Sequence, residues 1–297
     1  MTLPVRSFLF IPGDSEKKLA KVDDVPADAF ILDLEDAVAP ARKATARAMV
    51  MGFIGERPQA KRQSQLWVRV NPLDSGLTLE DLAAIVPAAP DGIMLPKANG
   101  PRDVVQAGHY LSALEVVSGL APGAIRILPV ATETAVAPFH LGDYAAAKPE
   151  RLYGLTWGAE DLSAAVGASG NRDASGEWTH TYRMVRSLCL LGAHAAGGEA
   201  VDTLHADFRD AEGLRASSIA ARAEGFSGRL AIHPAQVEII NQCFSPSAEE
   251  VDFAHRVVAL FAANPDSGTL GLDGRMLDIP HLKQARRTIA MHEARRG

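Results

Sequence analysis

The sequence has little cysteine, and this scarcity excludes two kinds of site. Cys189 and Cys243 are its two cysteines among 297 residues, too few for a disulfide framework or a cysteine-rich zinc site. Residues 1–6 also lack the basic and then apolar layout of a secretory signal. We therefore expect a cytoplasmic protein of a reducing compartment.

An excess of positive charge and long apolar stretches are absent as well. Thirty Lys and Arg stand against 36 Asp and Glu, a formal net charge of −6, which argues against a nucleic-acid binder or a polybasic membrane binder. No apolar stretch approaches the roughly 20 residues that span a bilayer. Hydrophobic residues make up 47% of the chain, as in a globular protein. The expected partner is a small molecule, with no nucleic acid and no membrane.

Short apolar runs rich in β-branched residues recur eight times and predict strands. They occupy residues 7–12, 29–34, 66–71, 92–96, 125–131, 152–157, 199–204 and 229–233. Segments with helical spacing lie between most of them, at 42–53, 103–118, 182–196, 213–224 and 249–262. Alternating strands and helices predict parallel strands with right-handed crossovers. Eight units predict an α/β protein, a (β/α)8 TIM barrel over residues 1–263, with a doubly wound open sheet as the alternative.

Two segments do not fit an eight-unit barrel. Residues 168–181 form a long polar loop after the sixth strand, and such a loop in a compact domain is either functional or wrongly assigned. Residues 264–274 are rich in Gly, Asp and Asn and are predicted to be a linker. A final helix is expected over 281–293. We predict that residues 264–297 pack outside the barrel or reach a neighbouring subunit.

Charged side chains follow most of the predicted strands, and in a (β/α)8 barrel these strand ends share the rim that carries the active site. Glu133 and Asp161, two carboxylates from separate strands, suit a hard cation such as Mg²⁺. Arg69 offers a fork for a carboxylate or a developing oxyanion. Structural explanations compete: a helix cap at Glu133, a first helical turn at Asp161, and an ion pair of Arg69 with Asp33 or Glu35.

Nine sequence motifs occur in a characteristic order. They are RSFLFIPG at 6–13, AFILDLEDAV at 29–38, VRVN at 68–71, MLPK at 94–97, ETA at 133–135, GAEDL at 158–162, GFSGRLAIHPAQ at 225–236, FSPS at 244–247 and GRMLDIP at 274–280. With them the chain resembles the HpcH/HpaI aldolase/citrate lyase family over nearly its whole length. Within the family it is similar to the stand-alone citrate lyase β-like proteins and to the malyl-CoA and citramalyl-CoA lyases.

The resemblance implies a catalytic centre built around a metal ion. Glu133 and Asp161 match the residues that bind Mg²⁺ in the family. Glu35 and Asp36 match carboxylates that hold water on the metal, and Arg69 matches the arginine that contacts the keto-acid part of the substrate.

The resemblance also implies a shared site and a CoA contact. Asp278 matches an aspartate that reaches a neighbouring subunit's site as general acid/base, which implies a homo-oligomer, with trimers or hexamers common among related enzymes. Phe10, Lys17 and Lys21 match residues that contact CoA, although some relatives carry Tyr where this chain carries Phe10.

These roles imply an Mg²⁺-dependent carbon–carbon lyase. It would cleave, or form, a 3-hydroxyacyl-CoA such as malyl-CoA, citramalyl-CoA or citryl-CoA, with acetyl-CoA and a 2-oxo acid as products. Three alternatives remain open: a citrate lyase β subunit acting on an acyl-carrier-protein thioester, a CoA-free class II 4-hydroxy-2-oxo acid aldolase, and a non-catalytic barrel protein.

Overall fold

Eight parallel strands form the central sheet of the protein in a computed structural model, which describes residues 4–294. The strands are β1 (Ser7–Pro12), β2 (Ala29–Asp33), β3 (Gln65–Arg69), β4 (Gly92–Leu95), β5 (Arg126–Pro129), β6 (Gly154–Thr156), β7 (Glu199–Asp202) and β8 (Gly228–Ala231). Each lies within about two residues of its predicted bounds, because the runs of apolar residues that define them are buried on both faces, as in a parallel sheet covered by helices.

Helices follow or separate these strands. They are α1 (Glu16–Leu19), α2 (Lys43–Gly55), α3 (Thr78–Ile85), α4 (Pro101–Val117), α5 (Asp143–Ala147), α6 (Ala159–Ala165), α7 (His180–Ala195), α8 (Ala211–Glu224) and α9 (Pro234–Cys243). Within residues 4–294, no helix combines the length and apolar character that would let it cross a membrane.

The sheet curls into a nearly closed barrel. Its strand order is β5-β4-β3-β2-β1-β8-β7-β6, which leaves β5 and β6 as the two ends. Parallel bridges join these ends at Ile127–Leu152 and Val130–Thr156, and the Ala131 N–H donates to the Thr156 carbonyl at 2.8 Å. A doubly wound open sheet would keep its end strands apart, so the prediction of a TIM barrel is confirmed.

Aromatic side chains fill the inside of the barrel. Phe8, Trp67 and Tyr153 meet edge to face, with ring centroids 5.2–5.9 Å apart, and all three are buried. A side chain on Gly92 would place its Cβ 2.2 Å from the Trp67 ring, so glycine makes room for this indole. The barrel interior is therefore a packed core.

The chain divides into two compact units, Val5–Asn241 and a second unit that contains residues 242–294. The second unit holds α10 (Ala248–Ala263), an antiparallel hairpin of β9 (Thr269–Leu272) and β10 (Arg275–Asp278), and α11 (Ile279–Glu293). Its core is formed by Ala254, Val257, Phe261, Leu277, Leu282 and Ala285. The final helix expected over 281–293 is present and begins two residues earlier.

The prediction of a linker over residues 264–274 was wrong for its second half. Leu272 pairs with Arg275, and the two residues between them, Asp273 and Gly274, have φ angles of 51° and 75°. Two successive positive φ angles give a tight hairpin turn whose twist matches that of its strands, and Asp-Gly is among the sequences that favour it. Asp273 and Gly274, which are part of the composition that suggested a linker, therefore form the turn of a hairpin.

Candidate active site

A small cavity of ≈ 90 Å³ lies where the carboxyl ends of several strands meet. Four of the residues singled out from the sequence line it: Phe10 on β1, Arg69 on β3, Glu133 after β5 and Asp161 after β6. Strand ends that are far apart in the sequence thus converge on one rim, as the barrel requires. The volume suits a small organic acid better than a whole CoA molecule.

Arg69 is held in place by carboxylates of the neighbouring strand. The parallel register sets Asp33 on β2 directly beside it. Its Nε and Nη2 donate to the two oxygens of Asp33 at 2.7 and 2.6 Å, and its Nη1 lies 3.0 Å from Glu35 Oε2. The guanidinium also lies over the Phe10 ring, 4.8 Å from its centroid. The ion pairs proposed as a structural explanation exist, yet Arg69 still borders the cavity.

Asp33 also shapes the turn that follows β2. The backbone N–H groups of Glu35 and Ala37 donate to its two carboxylate oxygens at 2.9 and 3.1 Å. Bidentate contacts to Arg69 and these turn contacts fix the carboxylate completely. The turn directs Glu35, which is itself buried, toward the guanidinium.

Glu133 is a buried carboxyl group with little to neutralise its charge. Only 6% of the residue is exposed, and one oxygen accepts the backbone N–H of Lys97 at 2.7 Å. A side chain on Gly158 would come within 2.9 Å of Glu133 Oε1, so the glycine allows the close approach. Burial, with a further contribution from the charge of Asp161, raises the pKa of Glu133 to about 8.

Asp161 lies in the first turn of α6, one of the structural explanations considered for it. About a third of its side chain is exposed (34%), and its Oδ1 lies 3.5 Å from the Lys97 Nζ. A helix start is a favourable position for a carboxylate, and it leaves Asp161 at the edge of the cavity.

Lys97 connects the acidic residues of the rim. Its Nζ lies 2.5 Å from Glu35, 3.6 Å from Asp36 and 3.5 Å from Asp161. Its φ angle is 52°, a left-handed conformation that costs a non-glycine residue free energy. Burial acts to lower the pKa of this ammonium, but the hydrogen bond and charge of Glu35 outweigh it, and the net shift is upward. Lys97 ends the MLPK motif but was given no role from the sequence, so its central position is a finding of the structure.

The carboxylate oxygens at the cavity suit a hard metal cation that takes few ligands from the protein. In the part of the chain that the structure describes, no three His, Cys, Asp or Glu side chains are grouped to hold a metal ion. Glu133 and Asp161 nevertheless border the same cavity. Mg²⁺ commonly binds one or two carboxylates and keeps water or substrate oxygens in its other positions.

The long polar loop contributes to the cavity, which the sequence suggested only by its length. Arg172 and Trp178 both line it, together with Trp157 after β6. The two indoles meet edge to face, with centroids 5.1 Å apart, and Trp157 donates to the buried Asp202 at 2.7 Å.

Other residues predicted for the site do not line the cavity. Lys17 and Lys21 are exposed and do not line the cavity. Lys17 belongs to α1, which ends at Leu19, and Lys21 follows the helix. Asp36 is exposed on the rim beside Lys97. Asp278 caps α11 in the second unit and contacts His281 at 2.5 Å.

Comparison with known proteins identifies relatives over the whole chain. The chain is 37% identical over 295 residues to a (3S)-malyl-CoA thioesterase of Cereibacter sphaeroides, and the match covers 98% of this chain and 95% of the relative. It is 30% identical to the mitochondrial citramalyl-CoA lyase of Rattus norvegicus (97% and 86%). The structure of CitE from Mycobacterium tuberculosis with magnesium, acetoacetate and coenzyme A matches with a TM-score of 0.78 at 33% identity, covering 98% of both chains.

The family model for HpcH/HpaI aldolase/citrate lyase matches residues 6–234. This range contains all eight strands of the barrel and every residue described at the cavity. Fold, rim residues and relatives agree, and the chain belongs to the HpcH/HpaI aldolase/citrate lyase family.

Proposed function

We propose that this protein is a carbon–carbon lyase that cleaves a 3-hydroxyacyl-CoA into acetyl-CoA and a 2-oxo acid. The observation that carries the proposal is the meeting of Arg69, Glu133 and Asp161 at one small cavity on the barrel rim. Relatives named for malyl-CoA and citramalyl-CoA support a CoA thioester rather than a free acid as substrate.

Glu133 and Asp161 are the residues that would hold Mg²⁺. A carboxyl whose pKa burial raises to about 8 gains most from a compensating cation, and CitE of M. tuberculosis contains magnesium. The ion supplies Lewis acidity toward the oxygens of the 2-hydroxy acid. Glu35 and Asp36 would hold water beside it.

Arg69 orients the acid and stabilises negative charge. Its Asp33 contacts fix the guanidinium before substrate binds, so no reorganisation is needed as charge develops on the oxygen. We expect Arg69→Gln to lower kcat by about 10²–10³-fold, the usual loss for a preorganised donor. Far-ultraviolet circular dichroism would check that the variant keeps its fold, and an unchanged kcat would remove Arg69 from the chemistry.

Cleavage removes a proton at one end of the broken bond and adds one at the other. The substrate hydroxyl would pass its proton to the water held by Glu35 and Asp36 as its carbon becomes a carbonyl group, and the electron pair of the carbon–carbon bond would pass to the acetyl-CoA fragment as an enolate. Asp278 of a second copy would protonate that enolate, and in synthesis it would remove a proton from acetyl-CoA. Phe10, Lys17 and Lys21 would contact the CoA.

Thioester hydrolysis is the second candidate, because a relative with 37% identity carries that name. The two reactions differ in their products. A lyase releases glyoxylate from malyl-CoA and leaves the sulfur acylated, whereas a thioesterase releases malate and a free thiol.

One assay separates these reactions. Malyl-CoA, methylmalyl-CoA, citramalyl-CoA and citryl-CoA are each incubated with the enzyme and Mg²⁺, and 2-oxo acid and free thiol are measured in parallel. We expect Mg²⁺-dependent release of 2-oxo acid with no stoichiometric thiol. Thiol without 2-oxo acid would establish hydrolysis, and turnover only of acyl-carrier-protein thioesters or of free 4-hydroxy-2-oxo acids would establish one of the remaining alternatives.

A further inference from the structure

Arg172 is a cation at the cavity to which the proposed reaction gives no role. It lies in the loop between α6 and α7 and lines the same cavity as Arg69, Glu133 and Asp161. Arg69 is already bound by Asp33 and Glu35. Arg172, in contrast, makes no ion pair with any residue from 4 to 294; its one hydrogen bond goes to the Gly176 carbonyl at 2.6 Å.

The loop holds this guanidinium in a defined place. Arg172 and Trp178 form an antiparallel bridge, and the guanidinium stacks on the Trp178 ring at 3.7 Å from its centroid. Trp178 in turn packs against the buried Trp157. Asn171, one residue earlier, donates to Glu160 Oε1 at 3.0 Å, which fastens the loop to the helix that carries Asp161.

A guanidinium held in this way is suited to a planar anion. Its face lies on an indole and one nitrogen donates to a carbonyl, so the remaining donors are free to bind a carboxylate through two hydrogen bonds. Two cations line the cavity, and Arg69 is already paired with Asp33 and Glu35. The carboxylates that line it are Glu133, Glu160 and Asp161, so Arg172 is the lining cation whose charge no ion pair with the described residues offsets.

Resting on the lyase function proposed above, we propose that Arg172 is a specificity-determining residue that binds a second carboxylate on the acid part of the substrate. The first carboxylate lies with Arg69 and the metal ligands. The 2-oxo acid released is then a dicarboxylate of the oxaloacetate type, and Arg172 discriminates it from glyoxylate and pyruvate, which have no second acid group.

The test compares one dicarboxylate with one monocarboxylate. Stopped-flow tryptophan fluorescence, with Trp178 as reporter beneath Arg172, measures the affinities of oxaloacetate and pyruvate in the presence of Mg²⁺. Because a hydrogen bond to a charged group contributes about 1.5–3 kcal/mol, Arg172→Gln should weaken oxaloacetate binding by about 10–100-fold. Pyruvate binding should change by less than about threefold, and Arg172→Lys should restore part of the loss.

Arg209→Gln is the matched control. Arg209 also lies over an aromatic ring in a loop after a strand, 5.6 Å from the Phe208 centroid, but it does not line the cavity. This variant should bind both acids like the unaltered protein. Equal losses for oxaloacetate and pyruvate in Arg172→Gln, no loss for either, or no oxaloacetate binding by the unaltered protein would overturn the proposal.

Turnover provides the second measurement. The ratio of kcat/KM for citryl-CoA to that for malyl-CoA should fall by about 10–100-fold in Arg172→Gln. If no thioester is cleaved but oxaloacetate binding still depends on Arg172, the lyase function fails and the carboxylate subsite stands. If thioesters are cleaved with an unchanged ratio, the subsite fails and the lyase function stands.

Discussion

Some single residues at the rim make several different contacts, and Lys97 is the clearest example. Its backbone N–H holds Glu133, while its ammonium contacts Glu35, Asp36 and Asp161. A left-handed φ angle at a lysine costs about 1–3 kcal/mol and persists because these contacts determine it. The Lys97 ammonium is therefore attracted by carboxylates, among them Asp161, that would also attract a divalent metal ion.

This overlap predicts that Lys97→Met binds Mg²⁺ more tightly than the unaltered protein. Removing a positive charge 3.5 Å from Asp161 removes repulsion toward a second cation, and the backbone N–H that supports Glu133 remains. Isothermal titration calorimetry with Mg²⁺ should show at least a threefold lower Kd, about 0.7 kcal/mol at 25 °C. Lys18→Met, an exposed lysine on α1, should leave the Kd unchanged, and weaker Mg²⁺ binding by Lys97→Met would contradict the prediction.

Residues at the rim differ in how well a sequence reveals them. Arg69, Glu133 and Asp161 lie within a few residues of the ends of apolar runs, and strand ends share a rim in any parallel barrel, so their convergence at the cavity could be predicted. The position of Arg172 could not be predicted, because it depends on the path of a loop and on a stack between Trp157 and Trp178. Loop length indicated a functional segment but not which side chain faces the cavity.

At the scale of strands and helices, glycines show where backbone and side chains meet closely. Gly92 on β4 and Gly52 on α2 form a matched pair, because a Cβ at Gly92 would lie 2.2 Å from the Trp67 ring and one at Gly52 would meet nothing within 4 Å. A side chain at position 92 would clash with the Trp67 ring, whereas at position 52 only helix propensity distinguishes glycine from alanine.

We therefore predict opposite effects of the same substitution at the two positions. Gly92→Ala should lower the free energy of unfolding by about 1–3 kcal/mol through overpacking of the barrel core. Gly52→Ala should raise it by about 0.5–1 kcal/mol, the usual advantage of alanine inside a helix. Urea unfolding followed by circular dichroism measures both, and a Gly92→Ala protein as stable as the unaltered one would contradict the packing described for Trp67.

Strands were easier to predict than the elements after the barrel. Eight buried runs give a strong signal because both faces of each strand are apolar. The β9–β10 hairpin was missed because each of its strands has four residues and most of these are exposed or half-buried. The Asp273-Gly274 dipeptide was nevertheless a hairpin signal, so this error was avoidable.

For the whole molecule, buried charge links stability to pH. Asp202 at the end of β7 is fully buried and contacts Arg186 on α7, Arg229 on β8 and the Trp157 indole. Burial alone would raise the pKa of Asp202, but the charges of Arg229 and Arg186 outweigh it and lower the pKa below its ordinary value.

A lowered carboxyl pKa stabilises the fold above the unfolded-state pKa of about 3.9, and this contribution is lost as the pH falls through the lower folded-state value. Asp202→Asn should be less stable by about 3–5 kcal/mol at pH 7, since Arg229 and Arg186 lose their partner. Its stability should also fall less steeply between pH 5 and 2. Urea midpoints measured across this range would test both effects, and parallel pH curves for the two proteins would refute the role of Asp202.

The proposed role of the second unit in catalysis depends on the protein forming an oligomer. Our proposal that residues 264–297 supply Asp278 to a neighbouring subunit requires at least two copies. Asp278→Ala and Arg69→Ala should each be nearly inactive, and mixing them should restore part of the activity, because some hybrid sites combine an intact residue from each chain. Subunit exchange is verified with two fluorescent labels, and exchange without recovered activity would exclude a shared site.

Phe8, Trp67 and Tyr153 fill the barrel interior with packed rings. For the lyase function proposed above, we therefore expect substrate and products to enter and leave from the rim, where the cavity lies. We predict release in a fixed order on this basis, with the 2-oxo acid leaving last.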